Sequence, residues 1–303
     1  MMNIRRIDST VWRSMLYVPA TNEKFIETAH KKEADAIKID LEDSVKSSEK
    51  PRARERIRSA AKAVSKSGAD VLIRINRPLR MAVQDIEASV WPEVTGLVLP
   101  KTESSDHIGF ISEIIAELEY ERGMINGHIK LMALIETPRG YNNVRQIAKS
   151  SPRLCAIALG QEDFSAEMGI FEPRGVSLLN YLQNVQVAAR EARIIPIGYP
   201  GLISDFTNLE LFESNVIMAR KLGFEGGSCI HPKQVSILNK AFTPTHAEIE
   251  RSEQIIAAYS TALASGEGVI ALEGKMIDLA IVARAKRILA TRDSIYSKLR
   301  KQV

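Results

Sequence analysis

Residues 130–164 read KLMALIETPRGYNNVRQIAKSSPRLCAIALGQEDF. Two short apolar runs, Lys130–Thr137 (KLMALIET) and Leu154–Gly160 (LCAIALG), flank a segment, Gly140–Lys149, with a helical pattern. The runs are apolar at nearly every position, which suits strands buried on both faces of a parallel sheet. The first carries Glu136 near its end and the second runs directly into Glu162 and Asp163. The stretch is a β-α-β unit whose charged chemistry is gathered at the strand ends.

The same unit recurs outward in both directions. Strands are predicted at Ser14–Ala20, Ala36–Glu42, Asp70–Asn76 and Gly96–Lys101 on the N-terminal side, and at Ile194–Pro200 and Glu225–His231 on the C-terminal side. Helical patterns occupy Asn22–Lys32, with Thr21 as the candidate N-cap, and Pro51–Ser65, Ser105–Arg122, Leu178–Arg193 and Leu209–Leu222. Eight strand–helix units in series predict a closed (β/α)8 TIM barrel in the α/β class. An open doubly wound sheet is the alternative, but no GxGxxG turn follows the first strand. The barrel is expected to span residues 1–240. Residues 241–303 form a C-terminal extension: a helix at Ala247–Ala264, a strand-like stretch at Gly268–Met276 and a basic helix at Asp278–Leu299 with a solvated face.

Composition narrows the class of protein. At 303 residues and 45% hydrophobic the chain can bury a large core, and a net charge of +4 is too small to point to nucleic acid. Cys155 and Cys229 sit in apolar stretches, as buried free thiols do. No window approaches the ~18 apolar residues of a membrane span, and MMNIRRIDSTVW lacks the apolar run of a secretory signal, so a cytoplasmic protein with no membrane partner is expected. Trp12 and Trp91 read as packing anchors, and His231 as a strand-end residue satisfying a loop.

In a barrel of this kind the reacting groups come from the C-terminal ends of the strands. Those positions hold Asp40, Glu42 and Asp43, then Arg74 and Asn76, Lys101, Glu136, and finally Glu162 and Asp163. Any one carboxylate is equally well a helix N-cap, Asp43 and Asp163 above all. Together, however, they repel one another unless a cation neutralises them, and an all-oxygen set favours Mg2+ or Mn2+ over Zn2+. Arg74 is either an ion-pair partner for the neighbouring strand or a fixed donor aimed at an oxyanion. Alternation along residues 72–76 points Arg74 and Asn76 to one face.

The motifs RSMLYVP (13–19), IDLEDSV (39–45), RIN (74–76), VLPKTES (98–104), LIETPRG (134–140), GQEDF (160–164), GFEGGSCIHPKQV (223–235) and GKMID (274–278) occur in this order. With them the chain resembles the citrate lyase β-subunit-like group of the malyl-CoA lyase and HpcH/HpaI aldolase superfamily, over nearly its full length. The resemblance implies a magnesium-dependent carbon–carbon lyase that cleaves a 2-hydroxyacyl-CoA to acetyl-CoA and a 2-keto acid. Citramalyl-CoA is the favoured substrate, ahead of malyl- or citryl-CoA. It implies Glu136 and Asp163 as metal ligands, Arg74 on the substrate oxygen, and Glu42 and Asp43 as supports for the arginine and metal-bound water. It further implies Arg13, Pro19 and Lys24 toward coenzyme A. Asp278 is implied in a C-terminal lid that acts in an adjacent subunit of a trimer or hexamer, although an Asp there is equally a helix N-cap. Two alternatives stay open: a citrate lyase β subunit acting on a citryl-acyl-carrier-protein thioester, and a non-catalytic thioester-binding subunit. Ala20 stands where the family usually has Gly, and Ala280 where Pro is frequent.

Overall fold

The computed structural model describes residues 10–171, 176–264, 270–272 and 275–300. Eight parallel strands form one sheet: β1 (Ser14–Pro19), β2 (Ala36–Asp40), β3 (Asp70–Arg74), β4 (Gly96–Leu99), β5 (Lys130–Ile135), β6 (Leu154–Leu159), β7 (Ile195–Ile197) and β8 (Gly227–Cys229). Their order is β7-β6-β5-β4-β3-β2-β1-β8, so each strand lies beside its sequence neighbour and β8 returns to β1. The seam between β7 and β8 is drawn together by an Ile197–Gly226 bridge and by the Gly198 amide donating to Gly226 O at 2.9 Å. A side chain at Gly226 would strike the carbonyl of Trp12, so glycine there lets the ring close. The sheet is a (β/α)8 barrel.

Alternation divides the apolar residues into two cores. Met15, Ala36, Leu72, Val98, Met132, Leu134, Ala156, Ala158, Ile195 and Ile197 pack together as a small inner cluster. Their strand neighbours, among them Leu16, Ile37, Ile73, Leu97, Ala133 and Ile157, join the larger shell formed with the helices. Trp12 anchors the inner cluster and its indole N–H donates to Asp70 at 2.8 Å.

The helices are α1 (Glu23–Ala29), α2 (Lys50–Val64), α3 (Leu79–Ser89), α4 (Ser105–Glu121), α5 (Pro138–Asn142), α6 (Val144–Ala148), α7 (Gln161–Glu167), α8 (Val176–Ala192), α9 (Leu209–Leu222), α10 (Pro232–Phe242), α11 (His246–Ala264) and α12 (Leu279–Arg300). Asn22 rather than Thr21 caps α1, accepting from the Phe25 amide at 3.1 Å. The helix expected over Gly140–Lys149 is two short ones. Thr137 caps the first, and the break falls at Asn143, whose amide side chain donates to Glu103 O at 2.9 Å.

The chain divides into two compact units. The first runs from Trp12 to Phe242, and the second runs from Thr243 onward together with Thr10 and Val11. In the second unit α11 packs along α12, and Lys298 donates to Val11 O at 3.0 Å. The stretch expected as one strand over Gly268–Met276 lies partly outside the described residues. Its described parts, β9 (Ile270–Leu272) and β10 (Lys275–Ile277), pair antiparallel.

Candidate active site

Register brings the first pair together. Asp40 and Arg74 are direct partners at the ends of β2 and β3. The guanidinium grips Asp40 with two bonds, Nε to Oδ1 at 2.7 Å and Nη2 to Oδ2 at 2.8 Å. Asp40 also accepts from the amides of Glu42 (3.0 Å) and Ser44 (3.1 Å), which turns the following loop back over the arginine. Glu42 Oε2 then lies 2.7 Å from Arg74 Nη1, and Asp43 Oδ2 accepts from the same nitrogen at 3.3 Å. Burial works to raise the Asp40 carboxyl, but the Arg74 hydrogen bonds and charge hold it below the usual range. Burial pushes Glu42 up to about 8 against the pull of Arg74. Asp40 is thus the main anchor of the arginine, a role expected of Glu42 and Asp43. The signal was present in Ile39-Asp40 opposite Ile73-Arg74, but only strand register makes partners of the two.

The second cluster spans three strand ends. Glu136 follows β5 and is buried; Asp163 lies in the first turn of α7, after β6. Lys101 follows β4 and touches both. Its amide donates to Glu136 Oε2 at 2.6 Å and its ammonium is 3.1 Å from Asp163 Oδ1. Its backbone is left-handed (φ 45), with its carbonyl accepting from Arg77 Nε at 2.9 Å. Gly160 provides the room for Glu136, because a Cβ there would come within 2.5 Å of Oε1. Burial pushes the Glu136 carboxyl up to about 7, and the Asp163 charge adds to this. Asp163 does not cap α7, since no side chain bonds its N-terminus.

Beneath both clusters, in the barrel interior, lies a group the sequence reading missed. Lys38 is fully buried on β2, with its Nζ 2.7 Å from Ser228 Oγ and 4.9 Å from the centre of the Tyr17 ring. Arg74 lies 5.1 Å from the same ring. Burial, then the Arg74 charge, lowers the amine to about 7. Lys38 looks like an outward polar residue in AIKIDLE, and only barrel closure shows that it points inward.

The other expected site residues separate. Pro19 ends β1 at the same rim, and Lys24 is exposed in the first turn of α1 just beyond it. Arg13 is a correction. It precedes β1 at the opposite end of the barrel, about 20 Å of strand away. There it is buried against Asp35, with Nε to Oδ2 and Nη2 to Oδ1 both at 2.8 Å. Asn76 lies beyond the end of β3 and is consumed by Lys50, Leu41 O and Asp85, a buried polar brace for the loop. Asp278 precedes α12, and its Oδ1 accepts from the Ile281 amide at 2.9 Å, an N-cap. His231 stacks on Phe206 with ring centres 5.6 Å apart, and its Nδ1 accepts from the Lys233 amide.

The rim suits a hard divalent cation. Glu42 Oε2 is buried and has no aligned hydrogen bond, Glu136 is held by a cradle that only glycine permits, and the donors are all carboxylate oxygens. Among the described residues no three His, Cys, Asp or Glu side chains form a closed ligand set. Two carboxylates, with substrate and water completing the shell, are the usual protein share for Mg2+.

Comparison with known proteins agrees with this architecture. Residues 13–232 match the family model described as HpcH/HpaI aldolase/citrate lyase. The citrate lyase subunit beta of Haemophilus influenzae is 35% identical over 280 residues, 91% of this chain and 95% of that one. The L-malyl-CoA/beta-methylmalyl-CoA lyase of Rhodobacter capsulatus is 29% identical, covering 91% of this chain and 93% of the relative. The structure of CitE from Mycobacterium tuberculosis, in complex with magnesium, acetoacetate and coenzyme A, shares the fold at a TM-score of 0.72. It is 23% identical and covers 94% of this chain and 100% of that one. With its barrel, its ordered strand-end motifs and these matches, the chain belongs to the HpcH/HpaI aldolase/citrate lyase family.

Proposed function

We propose that this chain is a carbon–carbon lyase that opens a 2-hydroxyacyl-CoA to acetyl-CoA and a 2-keto acid by retro-Claisen cleavage. One arrangement carries the reading. A guanidinium clamped by Asp40 shares the barrel rim, and acts electrostatically, with a buried carboxylate, Glu136, that is itself coupled to Asp163. The lyases among the relatives and the magnesium and coenzyme A of the mycobacterial structure support it.

Glu136 and Asp163 would hold the cation, Mg2+ with Mn2+ as the alternative, which supplies Lewis-acid polarisation of the substrate's oxygens. The chain's own groups do the rest. Arg74 donates to the oxygen on which charge changes as the carbon–carbon bond breaks, and Asp40 holds it in place so that no reorganisation is needed at that moment. Glu42 and Asp43 keep the outer guanidinium nitrogen turned to the rim. Lys24 and Pro19 offer a landing for coenzyme A phosphate and its chain. Asp278 delivers the proton to the acetyl carbon from a lid on residues 241–303 that enters the barrel mouth of a neighbouring subunit in a trimer or hexamer.

Within this class citramalyl-CoA is the acyl thioester we place first. A citryl thioester on an acyl-carrier protein is the second reading, favoured by the 35% identity to a citrate lyase β subunit. Keto-acid release from citramalyl-, malyl- and citryl-CoA and from the citryl carrier protein, with Mg2+ and with chelator, separates them. We expect metal-dependent release from a CoA thioester, lost in Glu136→Ala and Asp163→Ala proteins that keep the wild-type circular dichroism. A rate indifferent to chelator, or full activity in either variant, removes the metal assignment. Turnover of the carrier-protein thioester alone establishes the second reading.

A further inference from the structure

Among the described residues, Lys101 bonds to both proposed metal ligands, and it does so with two different groups. Its backbone amide serves Glu136 and its ammonium serves Asp163. The backbone that permits this is a left-handed turn, a conformation uncommon for a side chain of this kind, anchored on the carbonyl side by Arg77. The lysine side chain is 34% exposed and Asp163 38%, so the pair opens to solvent on one side. A single positive charge is therefore paired with one proposed metal ligand, on the residue whose backbone orients the other, where the proposed function needs a divalent ion.

We propose that Lys101 is a tethered cation that occupies the metal's place in the metal-free protein and is displaced from Asp163 when the metal loads. The inference rests on the assignment of Glu136 and Asp163 as metal ligands. Three consequences follow from the geometry. Without metal, the ammonium keeps Asp163 and Glu136 from repelling each other and holds the rim assembled. With metal, Asp163 has to release the ammonium, so the ion pair is a competitor that lowers metal affinity. The amide bond to Glu136 needs no such exchange, so Lys101 continues to orient that carboxylate in both states. The released ammonium swings on a flexible four-carbon stem into the solvent-open side of the rim.

The test uses Mn2+ as the probe, counted as free ion by electron paramagnetic resonance on the full-length chain, in wild type, Lys101→Met and Lys101→Arg. Lys101→Met keeps the amide bond and removes the competitor, so it should bind Mn2+ about two- to fivefold more tightly, the scale of one half-exposed ion pair. Lys101→Arg should stay near wild type. In parallel, labelling of wild type with an amine-acylating reagent and peptide mapping should show Lys101 reacting several-fold faster once Mn2+ is added. Equal or weaker Mn2+ affinity in Lys101→Met, or unchanged labelling of Lys101, overturns the inference while leaving the metal ligands standing. Absence of Mn2+ binding in wild type removes the metal assignment itself, and the inference with it. The two failures are therefore distinct. If Lys101→Met does not stay folded, the labelling of the wild-type chain decides alone.

Discussion

Lys38 and Arg74 are two inward cations in one barrel, yet their physical situations differ. Arg74 has Asp40, Glu42 and Asp43 around it, and its charge is compensated. Lys38 has a neutral hydroxyl, Ser228, and the face of Tyr17. Burying an ammonium without a carboxylate is costly, so its proton is held weakly, at about 7 in the folded chain against an ordinary 10.5 for a lysine in water. Because the unfolded chain binds this proton more tightly, the group destabilises the fold fully below pH 7. The penalty is relieved as pH rises toward 10.5, by ~1.4 kcal/mol per pH unit. Lys38→Met should therefore unfold at a higher urea concentration than wild type at pH 7, with the gap narrowing by on the order of 2–3 kcal/mol by pH 9.5. A gap that is the same at both values would mean that Lys38 is not the titrating group.

At the scale of elements, the loops after the strands do the positioning, and they do it with side chains that serve the backbone. Asp40 takes two loop amides, Thr137 caps α5, and Gln161 reaches across to donate to Tyr199 O and Gly201 O, both at 2.9 Å. Asp278 belongs to the same class by geometry, since it caps α12. Cap and acid are separable, because Asn caps a helix about as well as Asp but cannot carry the proton. Asp278→Asn should keep the wild-type melting temperature and lose turnover by at least about a hundredfold, the low end of general-acid contributions. Mixing these subunits with Asp163→Ala subunits should restore part of the activity if the lid serves a neighbour. Wild-type turnover in Asp278→Asn would leave Asp278 a cap and nothing more.

For the molecule as a whole, the concentration of charge at one rim has a cost that depends on pH. Glu42 and Glu136 are raised to about 8 and about 7 from an ordinary 4.5. In each case the folded chain binds the proton more tightly than the unfolded one. The resulting stability is full below about pH 4.5 and is lost as pH climbs through 7 and 8. Lys38 acts in the opposite sense only above 7, so it offsets the loss only at the upper end of this range. A dication that pairs with the ionised carboxylates should offset the loss. We expect Mg2+ at saturating concentration to raise the melting temperature several degrees at pH 7.5 and very little at pH 5.5, with chelator as the reference. An equal rise at both pH values would mean that Mg2+ binds elsewhere.

All eight strands and the polar list at their ends were legible in the amino-acid order, because a strand buried on both faces is apolar at every position and a rim residue is conspicuous just after it. Strand ends were overestimated, β7 and β8 most of all, where Ile194–Pro200 shrinks to Ile195–Ile197 and Glu225–His231 to Gly227–Cys229. Backbone at the rim turns away to place side chains rather than continue the ladder. Which charges meet was decided only by closure and register. Asp40 faces Arg74 because β2 and β3 pair without offset, Lys38 turns inward because the sheet curls into a ring, and Arg13 falls at the far end because a strand has two ends. A chain order records which groups are charged. The distance between them, and hence whether they attract, repel or share an ion, exists only once the barrel has closed.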